Sequence, residues 1–580
     1  MGIKHFFVWF KQNHPNCITT LNRAKTPPDD FETIGVKIDN LCLDMNGIFH
    51  SCAQKVYDYG NEKNKRLLTR SRPKKGLKFQ LRLFEEICNQ VDYYRKLVRP
   101  TKRIILCVDG VAGNAKMAQQ RQRRFKSTLI EEEMDFNPVC ITPGTRFMDF
   151  LSKYIDWYTR IMMSNSPEWQ DLEVVISNEK VPGEGEHKII NFIRKEKQIK
   201  STITESYCIH GLDADLIMLA LGTELEKIYI LRENMFCRGE THVLDIGRFG
   251  VELVHNMKWE AGGKQFRRHS AIDDFIFMCF LVGNDFVPTI PTLAILEGGI
   301  NVMMDVYKTI GKEKGHLTRV KKGETLIFRK ESLEMFLKTL STFEKGLLEE
   351  KQMKKESFIE DKLLDKYTKI VTSDGKNQSI VDFENYKKDY YSKKFPEDGI
   401  ENFCHHYLRG LQWIITYYKR GIPDWKWFYP YFYAPFLCDL EKSVSTFTCS
   451  DFELGKPILP FIQLMAVLPQ QSSDLLPSPI NNLLTSDTSP IKEFYPKEFE
   501  VDVSGKRREW EGIVILPMVN LTKVQEEYDR VKNQIDDRDK RRNRIGNTLS
   551  YFYSNETDYV FQSFYGDIDS CRVETKISNF

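Results

Sequence analysis

Residues 40–50, NLCLDMNGIFH, contain an apolar run that ends in an acid and continues into a helix-forming segment. Short apolar runs bounded by polar residues are typical of strands in a sheet interior, so this run predicts a strand from Asn40 to Met45. Similar runs recur at 103–108, 173–177, 207–211 and 227–231, with longer helical stretches between them. The alternation predicts an α/β domain in which crossover helices cover both faces of a parallel sheet.

Seven acids lie where these apolar segments stop or in short motifs between them. They are Asp44, Asp109, Glu184, Glu186, Asp213, Asp215 and Asp285. The carboxyl ends of parallel strands border the ligand crevice of an open sheet, so the acids should converge there. Crowded carboxylates are costly unless cations neutralise them, and oxygen ligands favour Mg²⁺ or Mn²⁺. A single Asp after a strand is as often a turn or helix cap, but the set predicts a pair of ions and phosphodiester hydrolysis.

A basic segment follows the second of these acids in VDGVAGNAKMAQQRQRRFK, residues 108–126. No helix breaker occurs after Gly113, which predicts a helix. At about 100° per residue, one face of this helix within about 100° carries four hydrogen-bond donors. These are Lys116, Gln120, Arg123 and Arg124. Runs of charged residues usually form a solvated helix face. Here the absence of acids from 110 to 126 favours a pocket that binds an anion instead.

Flat side chains form a third candidate group. His50 lies six residues after Asp44, and Trp425 and Trp427 lie in IPDWKWFYPYFYAP, residues 422–435. Such rings can stack on unpaired bases, which suits a single-stranded substrate. Core packing is about equally typical of a Trp in so aromatic a segment, and the sequence does not decide which Trp stacks.

Composition excludes a disordered chain: 41% of the 580 residues are hydrophobic, and 84 basic against 81 acidic side chains give a net charge of +3. The longest apolar run, 275–283, is too short to cross a bilayer, and no secretion signal is recognisable, so we expect no membrane partner. The 13 cysteines include no C-x-x-C pair. They predict reduced thiols and therefore a cytoplasmic or nuclear protein.

Three regions are predicted along the chain. Residues 1–300 carry the strand and acid pattern of a nuclease domain, and residues 301–385 have the Lys and Glu density of a charged helical linker. Residues 386–580 form an aromatic-rich, mainly helical second region.

The chain resembles the 5′→3′ exoribonuclease (Xrn-type) family of eukaryotic RNA decay. The resemblance rests on motifs in family order: LDMNGIFH, VDGVAGNAKMAQQRQRRF, CITPGTRFM, PGEGEHKI, GLDADLIML, FMCFLVGNDFVP, YYKRGIPDWKWFYPYFYAP, FIQLMAVLP, GKRREWEGIVILP and RNRIGNTL. It implies a Rossmann-like catalytic domain of the PIN and flap-nuclease type. The second region would pack on this domain, complete the active-site entrance and admit single strands only.

The resemblance also implies an activity and roles for the candidate residues. The expected reaction is processive hydrolysis of 5′-monophosphorylated single-stranded RNA to mononucleotides. The seven acids would bind two Mg²⁺ ions, and Lys116, Gln120, Arg123 and Arg124 would hold the 5′-monophosphate. His50 and one Trp of the WKW pair would sandwich the first bases.

Two departures from the family pattern stand out. Residues 112–115 read AGNA where the family usually has Pro-Arg in the middle, and Phe432 replaces the His of the family's HYAP. The chain resembles a short member without the long C-terminal extension, and its motifs do not separate the cytoplasmic from the nuclear branch. Two alternatives stay open: a flap-type structure-specific 5′ nuclease, and a catalytically inactive protein that binds RNA 5′ ends.

Overall fold

The structure is a computed structural model, and it describes most of the chain. The described residues are 3, 5–59, 75–129, 135–200, 204–234, 237, 239–260, 262–295, 298–320, 326–354, 359–373, 376–395, 399–506 and 508–578.

The fold is organised by one large sheet. The strands of the described chain are β1 (Ile18–Asn22), β2 (Asn40–Asp44), β3 (Arg103–Cys107), β4 (Glu173–Ser177), β5 (Tyr207–His210), β6 (Ile228–Glu233), β7 (Glu240–Asp245), β8 (Thr318–Val320), β9 (Leu326–Phe328), β10 (Thr368–Ser373), β11 (Lys376–Val381), β12 (Glu500–Asp502), β13 (Ile513–Ile515), β14 (Leu549–Tyr553), β15 (Tyr559–Phe561), β16 (Ile568–Cys571) and β17 (Val573–Ile577). Nine of them form the sheet, in the order β1-β7-β6-β5-β2-β3-β4-β14-β17. Its five central strands are parallel, and antiparallel strands extend both edges.

The five central strands are the ones that the sequence predicts, so the α/β class with a parallel sheet is confirmed. Each begins and ends within two residues of its predicted bounds. The sequence did not predict the antiparallel strands at the two edges of the sheet. In particular, β14 from the second region pairs antiparallel with β4, placing Leu549 opposite Ile176.

The α-helices of the described chain include those that cover the two faces of the sheet. They are α1 (Phe6–Asn13), α2 (Met45–Tyr57), α3 (Leu77–Val98), α4 (Asn114–Ser127), α5 (Arg146–Asn165), α6 (Pro167–Gln170), α7 (Gly185–Ile199), α8 (Asp215–Leu221), α9 (Ile246–Met257), α10 (Arg268–Leu281), α11 (Gly299–Lys314), α12 (Lys330–Ser341), α13 (Glu344–Met353), α14 (Lys362–Lys366), α15 (Phe383–Lys394), α16 (Ile400–Arg420), α17 (Leu437–Val444), α18 (Pro460–Val467), α19 (Ser478–Thr485), α20 (Leu521–Val531) and α21 (Asp537–Arg542). Along β3, Ile105 joins one hydrophobic cluster and Ile104 and Leu106 join another, because successive side chains of a strand point to opposite faces. The three-layer arrangement follows from this alternation.

Helix α16 of the aromatic-rich second region packs on one face of the sheet. Trp413 and Tyr417 of α16 are buried in the same cluster as Ile105. The segment 301–385, predicted as a linker, also contributes Tyr307 and Phe336 to that cluster. In its described residues this segment is therefore part of the packed body, while the boundaries at 300 and 385 remain a prediction. Among the described residues, no helix combines the length and hydropathy needed to cross a bilayer.

Candidate active site

The predicted acids gather at the carboxyl edge of the central strands. Asp44 is the last residue of β2, which lies between β3 and β5 in parallel register. Asp109 follows the end of β3, and Asp213 follows the end of β5. Since these strands end at one edge of the sheet, acids far apart in sequence come together there.

Three carboxylates form the closest group. Candidate ligand oxygens of Glu186, Asp213 and Asp215 lie within 4.8 Å of one another. Glu186 is in the first turn of α7, and Asp215 is the first residue of α8. Both helices therefore begin at the acid cluster.

Gly185 allows the acids from β2 and β3 to approach the start of α7. Its backbone N–H donates to Asp109 Oδ1 at 2.7 Å. A Cβ at this position would lie only 2.6 Å from Asp44 Oδ1. A side chain at residue 185 would therefore push Asp44 out of the cluster.

Lys116 connects the basic helix α4 to the acids. Its ammonium contacts Glu184 Oε2 at 2.5 Å and Asp285 Oδ2 at 2.8 Å. Burial alone would lower the pKa of Lys116, but the carboxylates of Asp285 and Glu184 outweigh it and raise the pKa. The structure thus places this residue, predicted as a phosphate ligand, directly beside two predicted metal ligands.

The acid cluster carries more negative charge than its surroundings neutralise. Burial, together with neighbouring carboxylates, raises the pKa of Asp44 and Glu186 well above the usual range and the pKa of Asp215 to about 7. Asp44 Oδ1, Glu186 Oε2 and Asp215 Oδ1 are buried and accept no hydrogen bond from the described residues. A set of unpartnered carboxylate oxygens fits a hard divalent cation.

The other three predicted phosphate ligands lie on α4, the helix whose Lys116 contacts the acids. Gln120 and Arg124 are buried, while Arg123 is exposed. Arg124 donates to Thr142 Oγ1 at 2.8 Å, and its second terminal nitrogen has no partner among the described residues. Burial, and secondarily the charge of Arg123, lowers the pKa of Arg124 to about 9. A buried guanidinium with an unused donor is suited to binding an anion.

His50, on α2, lies close to this basic face. Burial lowers its pKa to about 4, and the charges of Arg123 and Arg124 contribute to the same shift. Its imidazole is therefore neutral at pH 7. A neutral ring beside two guanidinium groups can stack on a base without adding charge.

The two Trp side chains of the WKW pair have different environments. Trp427 is buried and stacks on Trp413, with centroids 4.9 Å apart. Trp425 is half-buried, and its backbone carbonyl accepts from the N–H of Asn114 at the start of α4. Trp427 is thus a core residue, and of the two only Trp425 retains exposed surface beside the basic helix.

Two family descriptions match the chain. "XRN 5'-3' exonuclease N-terminus" matches residues 1–234, and "Xrn1 helical domain" matches residues 265–385 and 368–579. The chain belongs to the XRN family. This confirms the resemblance that its motifs indicate, and the family is distinct from the flap-type alternative.

Curated relatives in the XRN family cover nearly the whole chain. The 5'-3' exoribonuclease 1 of Homo sapiens is 31% identical over 97% of this chain and 36% of its own length. The 5'-3' exoribonuclease 1 of Saccharomyces cerevisiae is 28% identical over 98% of this chain and 46% of its own. The chain therefore spans less than half the length of these two relatives. The 5'-3' exoribonuclease 2 homolog of Drosophila melanogaster is 29% identical over 96% of this chain and 74% of its own.

A solved structure described as the catalytic core of Rad2 in complex with DNA substrate shares 12% sequence identity with this XRN family member. It covers 79% of this chain and 92% of its own, with a TM-score of 0.32.

Three buried residues near the acids escaped the sequence-based prediction. Tyr417 and Tyr418 donate to Glu184 and Asp215, and Lys188 donates to the carbonyls of Val108 and Asn178 at 2.7 and 2.9 Å. Lys188 thereby ties together the segments that follow β3 and β4, and burial lowers its pKa to about 8. The position of Lys188 in PGEGEHK, directly after the acids, could have identified it. Tyr417 and Tyr418 begin the motif YYKRGIPDWKWFYPYFYAP, but nothing in that motif indicates that their hydroxyls contact the acids.

Proposed function

We propose that the chain is a processive 5′→3′ exoribonuclease that hydrolyses 5′-monophosphorylated single-stranded RNA to mononucleotides. The observation that carries the proposal is the buried acid cluster with unpartnered oxygens, joined through Lys116 to a buried basic helix. Membership of the XRN family supports the direction of attack and the RNA substrate. All 13 cysteines are free thiols, which supports a reducing compartment, cytoplasm or nucleus.

The acid cluster is proposed to hold two Mg²⁺ ions, with Mn²⁺ as a substitute. The residues that would hold them are Asp44, Asp109, Glu184, Glu186, Asp213, Asp215 and Asp285. When bound, such a pair supplies charge stabilisation for the attacking and leaving oxygens of an in-line displacement. The protein's own contribution is to fix the carboxylates at one sheet edge and to compensate their charge only in part, through Lys116, until cations bind.

The remaining site residues are proposed to hold the RNA 5′ end. Gln120, Arg123 and Arg124 on α4 would donate to the 5′-monophosphate, and Lys116 would hold the reacting end close to the acids. His50 and Trp425 would stack on the first bases. Repeated cleavage from the same end then follows, since each cleavage leaves a new 5′-monophosphate for the same donors.

Comparing RNAs that differ only at the 5′ end tests the proposal. The 5′-monophosphate RNA should be degraded to mononucleotides with Mg²⁺ and remain intact with EDTA. RNA with a 5′-triphosphate or a cap should be degraded much more slowly. Tight binding of the 5′-monophosphate RNA without cleavage would instead favour the inactive 5′-end-binding alternative, and internal cuts in branched DNA would favour a flap-type activity.

Paired replacement of Arg123 and Arg124 by Gln should reduce the preference for a 5′-monophosphate over a 5′-hydroxyl by about 10-fold or more. A doubly charged phosphate gains most from charge-assisted hydrogen bonds, each worth about 1.5–3 kcal/mol. Competition between the two RNAs measures the preference. Arg121→Gln is the matched control, because Arg121 is a buried arginine of the same helix that donates to the carbonyls of Ala466 and Phe494. Equal discrimination by the double variant and the control would place the phosphate site elsewhere.

Raising the pH should destabilise the cation-free protein, and a divalent cation should reverse this. Unfolded Asp and Glu ionise near pH 4, whereas the pKa of Asp215 is raised to about 7. The folded state therefore holds extra protons between these values, and its stability falls as pH rises through them. We expect the melting temperature to drop by on the order of a few °C between about pH 5.5 and about pH 8.

Thermal unfolding with and without Mg²⁺, at matched ionic strength in KCl, checks this expectation. The gain from Mg²⁺ should be larger at about pH 8, where protons no longer compete for the carboxylates. An equal gain at both pH values, or none, would argue against cation binding at the acid cluster.

A further inference from the structure

Helix α16 brings two hydroxyl groups of the second region to the acid cluster. The Tyr417 hydroxyl donates to Glu184 Oε1 at 2.9 Å, and the Tyr418 hydroxyl donates to Asp215 Oδ2 at 3.2 Å. Both rings are buried. Consecutive residues of a helix point about 100° apart, so one turn can reach two acids on different elements.

Aromatic packing holds the first of these hydroxyls in place. The ring of Tyr417 stacks on His187, with centroids 3.7 Å apart and planes at 7°. Trp413 packs against the same Tyr at 5.0 Å, and Trp427 stacks on Trp413. This column of rings extends from the WKW segment to α7, which carries Glu186 and His187.

The second hydroxyl has a comparable support. Tyr418 packs edge-on against Phe280 at 4.9 Å and against His187 at 5.5 Å. Because packing fixes both rings, the two hydroxyls cannot readily reach other hydrogen-bond acceptors.

Each hydroxyl engages only one oxygen of its acid. The other oxygen of Asp215, Oδ1, has no hydrogen-bond partner among the described residues and is available to a cation, whereas Oε2 of Glu184 is paired with Lys116. A phenol hydroxyl is neutral, so it orients a carboxylate without cancelling its charge. A lysine at the same place would orient the acid and also repel a cation.

We propose that Tyr417 and Tyr418 are positioning residues that orient Glu184 and Asp215 for divalent cations, so that the second region completes the metal site. The inference rests on the proposed function. Hydrogen-bond partners of metal ligands typically contribute about 10- to 100-fold to metal affinity or activity. The acid cluster of the nuclease region would therefore be incomplete without α16.

Single variants Tyr417→Phe and Tyr418→Phe test the inference, since each removes one hydroxyl and keeps the ring in its packing. Tyr390→Phe is the matched control: its buried hydroxyl donates to the carbonyl of Ala434 at 2.9 Å. Two quantities are measured on the full chain, namely the Mn²⁺ affinity by calorimetry without RNA, and kcat and KM on 5′-monophosphate RNA.

We expect each site variant to bind Mn²⁺ about 10- to 100-fold more weakly and to lose kcat by a similar factor. KM for RNA should change less than about two-fold, because the donors of α4 are untouched, and the control should match the wild type in both measurements. Added Mn²⁺ should restore part of the lost kcat, which a merely structural defect would not allow.

Different outcomes separate this inference from the proposed function. An active, cation-dependent wild type whose two site variants behave like Tyr390→Phe would overturn the inference alone. Weakened Mn²⁺ binding in the variants of a wild type that does not cleave RNA would support the inference and contradict the proposed function. A wild type that binds no divalent cation at all would overturn both.

Discussion

Replacing Glu186 by Gln should lower RNA hydrolysis by about 100-fold or more while making the cation-free protein more stable. The activity falls because one carboxylate of the closest acid group loses its charge, which removes about 3 kcal/mol or more of cation-dependent stabilisation. The stability rises because burial and the charges of Asp215 and Asp213 raise the pKa of Glu186, so its ionisation opposes folding at neutral pH. Affinity for the RNA 5′ end should persist, since α4 is unchanged.

The matched control is Asp539→Asn, a second buried acid with the opposite expected effect on stability. Asp539 accepts from Arg542 at 2.7 Å and from Arg146 at 3.2 Å. Burial alone would raise its pKa, but these hydrogen bonds lower it, so neutralising Asp539 removes stability. Its melting temperature should fall and its activity at lower temperature should persist. Single-turnover cleavage, 5′-end binding by fluorescence anisotropy and thermal unfolding distinguish the two variants. Near-normal cleavage by Glu186→Gln would remove this residue from the proposed metal site.

The central sheet and the acid edge could be predicted because their signals are local. Each central strand is a short apolar run; Asp44 ends its strand, and Asp109 and Asp213 follow shortly after the ends of theirs. Parallel pairing then brings such positions to one edge without any knowledge of side-chain packing. Predicting the acid edge therefore required only the positions of the strands and the rule that parallel strands are joined by crossover connections.

Contacts between distant segments could not be predicted in this way. The Tyr417 hydroxyl and Glu184 are 233 residues apart in sequence, and a Tyr near the end of an amphipathic helix has no signature that distinguishes a core ring from a positioning group. Lys116 shares the helical face of the other donors, but which neighbour its flexible chain reaches depends on the distance to Asp285. The pairing of β14 with β4 likewise joins segments that are far apart in the sequence, with Leu549 opposite Ile176.

The segment 301–385 shows how charge density can mislead. On α12, Lys330, Glu331 and Lys338 are exposed, whereas the opposite face buries Leu333, Phe336 and Leu340. An amphipathic helix at a surface needs apolar residues on only one stripe, so a high average charge is compatible with core packing. The periodicity of the apolar positions is the better indicator here.

Trp427→Ala should destabilise the fold, whereas Trp425→Ala should lower the affinity for the RNA 5′ end. Trp427 is buried, stacks on Trp413 and fits against Gly410, where a Cβ would lie 3.2 Å from its ring. Truncating such a Trp costs about 3–5 kcal/mol of unfolding free energy. Trp425 retains exposed surface, and losing one base stack of about 1–3 kcal/mol corresponds to roughly a five-fold to hundred-fold weaker binding.

Two measurements separate these effects, namely thermal unfolding without RNA and affinity for short 5′-monophosphate RNA at a temperature where both variants are folded. Trp425→Phe serves as the control, because a smaller aromatic ring keeps a stacking surface and should restore most of the affinity and run length. Trp427→Phe keeps part of the stack on Trp413 and should recover part of the stability. If Trp425→Ala binds the RNA end as tightly as the wild type, its exposed ring is not a base platform. In that case His50, which lies near Arg123 and Arg124, would remain as the candidate for stacking on the first base.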